Sequence, residues 1–251
     1  FYNDDRSAFS NTAIEYFKSV KPTSLNNAFV GVHLDDSSGL YFLDTSECTD
    51  FREAFVLFES PILNLSTFDV SKGESFYQCF NLTGYHDASV IDISNWKFKE
   101  NALLQQLFYR AHVSHIEMNN VDVSKIKSFT EVFYSLGDDR VTIEMLDLKS
   151  WHNNIVTTMN SFTSHASIKI INMPNIDTSN VTSFSYAFSS NSDLQEIRGV
   201  IDMKSAKTYE SMVENSVSNL TAKIKIKNPP SASDWWQKAG FTSEDQFEIV
   251  T

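Results

Sequence analysis

The 251-residue chain carries 20 Lys and Arg against 32 Asp and Glu, a formal charge of −12, with 41% apolar residues, 20 Phe, 7 Gly and 2 Cys. Length and composition allow a self-sufficient core and exclude a disordered chain. The acidic balance leaves no basic face for nucleic acid, two Cys make neither a disulfide framework nor a four-ligand zinc site, and no run of about 18 apolar residues is present to span a membrane.

The chain starts at Phe1, so a mature form, a fragment or part of a larger polypeptide or assembly is expected. Residues 1–39 are read as an N-terminal cap and a first partial repeat. Within "SAFSNTAIEYFKSV", Phe9, Ala13, Ile14 and Phe17 fall at helical spacing.

Residues 40–215 are a repeat array. An apolar anchor recurs at Phe17, Leu43, Phe68, Trp96, Val121, Trp151, Ile176 and Ile201, with spacings of 26, 25, 28, 25, 30, 25 and 25. Before each anchor the period is two, as in Leu63/Leu65/Phe68 and Ile171/Met173/Ile176, which predicts a short strand with one buried face. After each anchor, positions +8, +11 and +12 are apolar, as in Phe51/Ala54/Phe55 and Phe76/Cys79/Phe80. Their i, i+3, i+4 spacing predicts a short helix. These columns absorb the Phe excess. Thr163 breaks the +12 column, and Phe162 fills the slot if one residue is deleted there. Cys48 and Cys79 fall in core columns and are expected as buried free thiols.

Two polar columns follow the anchors: Asp44, Asp69, Asp122, Asp177 and Asp202 at +1, and Ser46, Ser71, Ser124 and Ser179 at +3. They read as turn and helix-start caps or, alternatively, as a calcium ladder that Lys97 and His152 would interrupt. Residues 216–251 are read as a C-terminal strand and cap. Ile224 and Ile226 mark a last strand stopped by "NPP" (228–230), then a short helix, a stop at Gly240 and a final strand. Trp235 and Trp236 plug the end or form a binding pair.

"LSTFDVSKGESFYQCF", "MNNVDVSKIKSFTEVF" and "MPNIDTSNVTSFSYAF" resemble the BspA-type leucine-rich repeat over about residues 40–215. The expected fold is an α/β solenoid: a leucine-rich-repeat-like right-handed coil of about seven to eight strand–turn–helix repeats with a parallel sheet and terminal caps. The resemblance implies display outside the cell, on a bacterial surface or virion, and recognition of a protein or glycan.

Catalytic constellations are not legible. "HVSH" (112–115) reads as a solvated loop pair or a zinc half-site, and no metal or cofactor is assigned. The expected binding surface is the exposed strand face: Asn64, Ser66, Asp92, Ser94, Glu117, Asn119, Asp147, Lys149 and Asn172. Its acidic, polar character suits a basic protein segment or a hydroxyl-rich glycan. Tyr77, Tyr109 and Tyr134 are edge aromatics for binding or partial core. The expected function is non-enzymatic adhesion through a protein or glycan at a cell surface. The alternative is a structural component of a larger assembly, such as a phage tail, with the solenoid as spacer.

Overall fold

The computed structural model describes residues 8–86, 89–137 and 140–251. The chain winds as a parallel β-solenoid of about seven turns. Its strands are β1 (Ile62–Asn64), β2 (Ser89–Asp92), β3 (Val113–Glu117), β4 (Ile143–Asp147), β5 (Ile168–Asn172), β6 (Glu196–Arg198), β7 (Val200–Asp202), β8 (Ile224–Lys227) and β9 (Phe247–Ile249). They form three parallel groups, β1-β2-β3, β4-β5-β6 and β7-β8-β9. Register keeps one column per inward residue: Leu63 beside Ile91 beside Ile116, and Leu146 beside Ile171 beside Ile197.

The segments expected as helices are turns. In the second coil the N–H groups of Phe51, Glu53, Phe55 and Leu57 donate sideways to the carbonyls of Ser75, Tyr77, Cys79 and Asn81 in the next coil, at 2.9–3.0 Å. The intervening N–H groups of Ala54, Val56 and Phe58 close local turns on Phe51, Glu53 and Phe55. A helix would send every N–H to its own i−4 carbonyl. Here alternate donors build a second ladder between coils. That geometry requires a left-handed residue at +10 and +14 of each coil. Glu53, Gln78, Gln106, Glu131, Ser161, Tyr186 and Ser211 occupy +10 at φ +50 to +59, and Leu57, Leu82, Arg110, Ser135, His165, Ser190 and Asn215 occupy +14 at φ +51 to +59. Each such non-glycine residue costs about 1–2 kcal/mol. The inter-coil bonds offset that cost.

Both backbones turn +8, +11 and +12 inward, so the Phe columns survive the change. The +12 rings of Phe29, Phe55, Phe80, Phe108 and Phe133 stack at 5.1–5.7 Å with interplanar angles of 3–13°. At the faulty copy the backbone register is unbroken: Phe133 N–H still donates to the Phe162 carbonyl and Thr163 N–H to that of Ala187. Phe162 fills the gap by its ring alone, edge-on to Phe133 at 5.3 Å and 80°. No deletion is needed. Cys48 and Cys79 are free and buried, as expected.

The 28- and 30-residue copies disturb the sheet side. Among the described residues no ladder joins β3 to β4. Across this seam Ser150 Oγ donates to the Met118 carbonyl at 2.5 Å, and Asn153, 4% exposed, stands where other coils carry Val70 or Val123. Asn153 Nδ2 donates to the carbonyls of Val123 and Ile126, while its Oδ1 accepts from the N–H groups of Ile155 and Val156, all at 2.6–2.9 Å. One buried amide therefore replaces four backbone partners.

A short helix lies near each end of the array. Helix α1 (Asn11–Ser19) is capped by Ser10, whose Oγ accepts from Ala13 N–H at 3.2 Å, and buries Ala13 and Phe17. At the far end α2 (Trp235–Lys238) sets Trp235, 7% exposed, against Phe241 and Phe247. Trp236 is half-buried. Gly240 sits at φ +94, and a Cβ there would lie 2.6 Å from the Glu214 nitrogen, so only glycine fits.

Candidate recognition surface

The outer face of the sheet is built by strand parity. Residues between the inward pairs Leu63/Leu65, Ile91/Ile93 and Leu146/Leu148 must point away from the core. Register places Asn64 beside Asp92 beside Glu117, and Asp147 beside Asn172 beside Arg198. Five of the nine expected residues, Asn64, Asp92, Glu117, Asp147 and Asn172, thus share register, in two rows separated by the β3–β4 seam.

Much of this row also holds the fold. The Oδ1 atoms of Asn64, Asp92 and Asp147 accept from the N–H groups of Ser66, Ser94 and Lys149 at 3.0, 2.9 and 3.2 Å. Each therefore caps the turn that ends its strand. Asn172 Nδ2 donates to Asp147 Oδ1 at 2.7 Å, and Asn119 Nδ2 to Glu117 Oε2 at 3.1 Å. Ser94 corrects the expectation of exposure: it is 9% exposed, and its Oγ accepts from Asn119 N–H at 3.2 Å. Asn119 and Lys149 are exposed, and the remaining six are half-buried. Lys149 lies 2.8 Å from Asp147. Partial burial works to raise the Asp147 carboxyl, but hydrogen bonds from Lys149 and Asn172 outweigh it and hold the group below the usual range.

Sequence reasoning missed a neighbouring column of the same parity. Ile62, Val90 and His115 are in register across β1–β3, and Met145 and Ile170 across β4–β5. Ile62 is 57% exposed and the other four are half-exposed. The signal was present, two residues before each polar position. A largely apolar column therefore runs beside each polar row.

The +1 aspartates are turn caps. Asp44, Asp69, Asp122 and Asp177 accept from Ser46, Ser71, Ser124 and Ser179 N–H, and Asp202 from Lys204 N–H, at 2.9–3.0 Å. The serine hydroxyls and N–H groups hold Asp69 and Asp122 below the usual carboxyl range. Among the described residues no group of three or more His, Cys, Asp or Glu is arranged to hold a metal ion. His112 and His115 are not a loop pair: His112 is buried, and His115 lies on β3, 3.2 Å from Glu117.

The two longer copies meet through residues of their returns. Arg140 lies over the Tyr85 ring at 4.1 Å and donates to its hydroxyl at 2.8 Å. Beneath, the buried Glu59 carboxylate meets His33 at 3.3 Å and is hydrogen-bonded by His86. The neighbouring residues 87, 88, 138 and 139 lie outside the described residues.

These features define a parallel β-solenoid repeat protein. Among the described residues no helix is long and apolar enough to cross a membrane. The family model described as "Mycoplasma protein of unknown function, DUF285" matches residues 23–145 and 138–245. The chain belongs to that family. Searches of curated proteins and of solved structures gave no match.

Proposed function

We propose that the chain is a non-enzymatic recognition and adhesion module, displayed outside the cell on a bacterial surface or virion, that binds a protein or glycan at a host or cell surface. The array is read as a variant of the BspA-type leucine-rich repeat in which turns replace the helices. One observation carries the reading: the outer sheet face carries two in-register polar rows, with Asp92 beside Glu117 in one and Asp147 beside Asn172 in the other, each flanked by partly exposed, largely apolar side chains. A rigid, extended face of mixed chemistry suits an elongated contact better than a buried reaction centre. The test is retention of the purified chain on intact cells and cell-surface fractions. The triple variant Asp92→Asn, Glu117→Gln, Asp147→Asn keeps the turn caps but removes the charge, and retention should fall about tenfold or more. Equal retention of variant and wild type would count against this face.

A structural role in a larger assembly is favoured by a different observation. Strand β9 ends its sheet, pairing with β8, and Ile249 is 54% exposed. Such an edge accepts a further strand. Light scattering that finds monomers at all concentrations, with Ile249→Lys unchanged, would contradict that reading.

A further inference from the structure

The second ladder also has an outward face, and in the middle coils it combines chained amides with stacked tyrosines. At other places neighbouring coils are joined by ion pairs, Lys72 with Glu47 at 2.7 Å, Lys99 with Glu74 at 3.0 Å and Lys169 with Glu144 at 2.6 Å, or by single amide bridges such as Asn120 to Asn95 at 3.2 Å. At +10 and +13 of the middle coils the joining groups are amides, one carboxylate and tyrosine rings. Gln78 Nε2 donates to Gln106 Oε1 at 2.6 Å and to the Tyr77 hydroxyl at 3.1 Å. Gln106 Nε2 in turn donates to Glu131 Oε2 at 2.8 Å, joined there by Gln105 Nε2 at 3.0 Å. Alongside, Tyr109 stacks on Tyr134 at 5.6 Å, and the Tyr134 ring lies tilted against His165 at 5.2 Å. These tyrosines, Gln78, Gln106 and Glu131 are half-buried. At one end Asn81 Oδ1 is buried without a hydrogen-bond donor.

We propose that this strip, Gln78, Gln106 and Glu131 flanked by Tyr109 and Tyr134, binds a linear neutral glycan laid along the solenoid axis. Sugar hydroxyls both donate and accept, and so do amide and phenol groups, while the carboxylate of Glu131 accepts. The ring edges of the tyrosines offer apolar contact to the C–H faces of a pyranose. The lateral hydrogen bonds and the left-handed backbone at Gln78, Gln106 and Glu131 hold these groups in place before a ligand arrives. Little ordering is left to oppose binding. A hydroxyl reaching Asn81 would satisfy its open acceptor. A basic peptide fits less well, because the one carboxylate of the row, Glu131, already takes two amide donors. From the coil of Gln78 to that of His165 there are three coil steps, roughly 14 Å at about 4.8 Å each. The ligand is therefore an oligomer rather than a single sugar. The proposal rests on the recognition reading but uses a different face from the sheet.

The test is calorimetry of the full chain with cello-, laminari-, manno- and chito-oligosaccharides of increasing length. Saturable binding to at least one series is expected, tightening with length until the ligand spans the strip and then levelling. Gln106→Ala and Tyr134→Phe should each weaken it about 3- to 10-fold, the value of one hydrogen bond. Gln106→Glu, which sets a second carboxylate against Glu131, should weaken it more. Unchanged melting of Tyr134→Phe separates loss of binding from loss of fold. The proposal is overturned if no series binds, if these variants bind as wild type, or if only the sheet-face triple variant loses binding. Retention on cells with no glycan binding overturns the strip and leaves the recognition reading. Glycan binding without retention does the reverse.

Discussion

Replacing Arg110, Ser161 and Ser211 together by glycine should stabilise the protein. The three residues sit at φ +51, +50 and +54, in three different coils. A non-glycine residue there costs about 1–2 kcal/mol. Glycine relieves that cost and returns about 0.4–1 kcal/mol by loosening the unfolded chain. The net gain is about 0.5–1 kcal/mol per site. Well-separated sites add, so the triple variant should gain roughly 1.5–3 kcal/mol. For a domain of this size that raises Tm by roughly 3–12 °C. Had these segments been helices, as their apolar spacing suggested, each glycine would cost about 1 kcal/mol and the triple variant would melt lower. The sign of the shift therefore discriminates between the two backbones. Thermal melts by circular dichroism measure it, with Arg110→Ala, Ser161→Ala, Ser211→Ala as the control that keeps the left-handed strain. A triple glycine variant that melts several degrees below wild type would refute the second ladder.

Asn153→Ala strips partners from two carbonyls and two N–H groups at the seam. At about 1–3 kcal/mol for each dry group, urea unfolding should show a loss of at least about 3 kcal/mol. A loss below about 1 kcal/mol would mean that the seam is wet. The carboxyls of Asp69, Asp122 and Asp147 are all depressed in the folded chain. Their contribution is present above the unfolded value of about 3.9 and is lost as pH falls through the lower folded values. Melting temperature should hold from about pH 7 to pH 5 and drop below about pH 4, with a weaker drop in the triple variant Asp69→Asn, Asp122→Asn, Asp147→Asn; an equal drop would contradict the linkage. Burial pushes the Cys48 thiol up to about 11 and Cys79 upward as well. Neither should react with a thiol reagent at pH 8 until the chain is unfolded, and labelling of the native chain would place a cysteine outside the core.

The sequence carried the coil boundaries because they rest on side-chain burial. Anchors, Phe columns and strand parity all follow from which residues face inward, and the +1 aspartates and +3 serines are local turn chemistry. The backbone between anchor and return was not legible. Positions i, i+3 and i+4 face inward both in a helix and in the laterally bonded turns. The left-handed positions carry Glu, Gln, Leu, Arg and Tyr in most coils, and only Asn27, Gly31 and Asn215 hint at positive φ. At the surface, the rows of Asn64, Asp92 and Asp147 were found, but not that their side chains also cap turns. Ser94 is buried because it lies in the turn beyond the strand, where the alternation of faces no longer holds. From sequence, Tyr109 and Tyr134 fit core and binding equally, because their outward direction depends on the same turns.

Covalent labelling of carboxylates by carbodiimide, with and without the cell-surface fraction that retains the chain, tests the recognition reading most directly. Asp92, Glu117 and Asp147 should lose labelling several-fold when the fraction is bound, while the exposed Glu15 and Glu244, on the terminal caps, stay unchanged. Protection confined to the caps, or no protection on a retained protein, would contradict it.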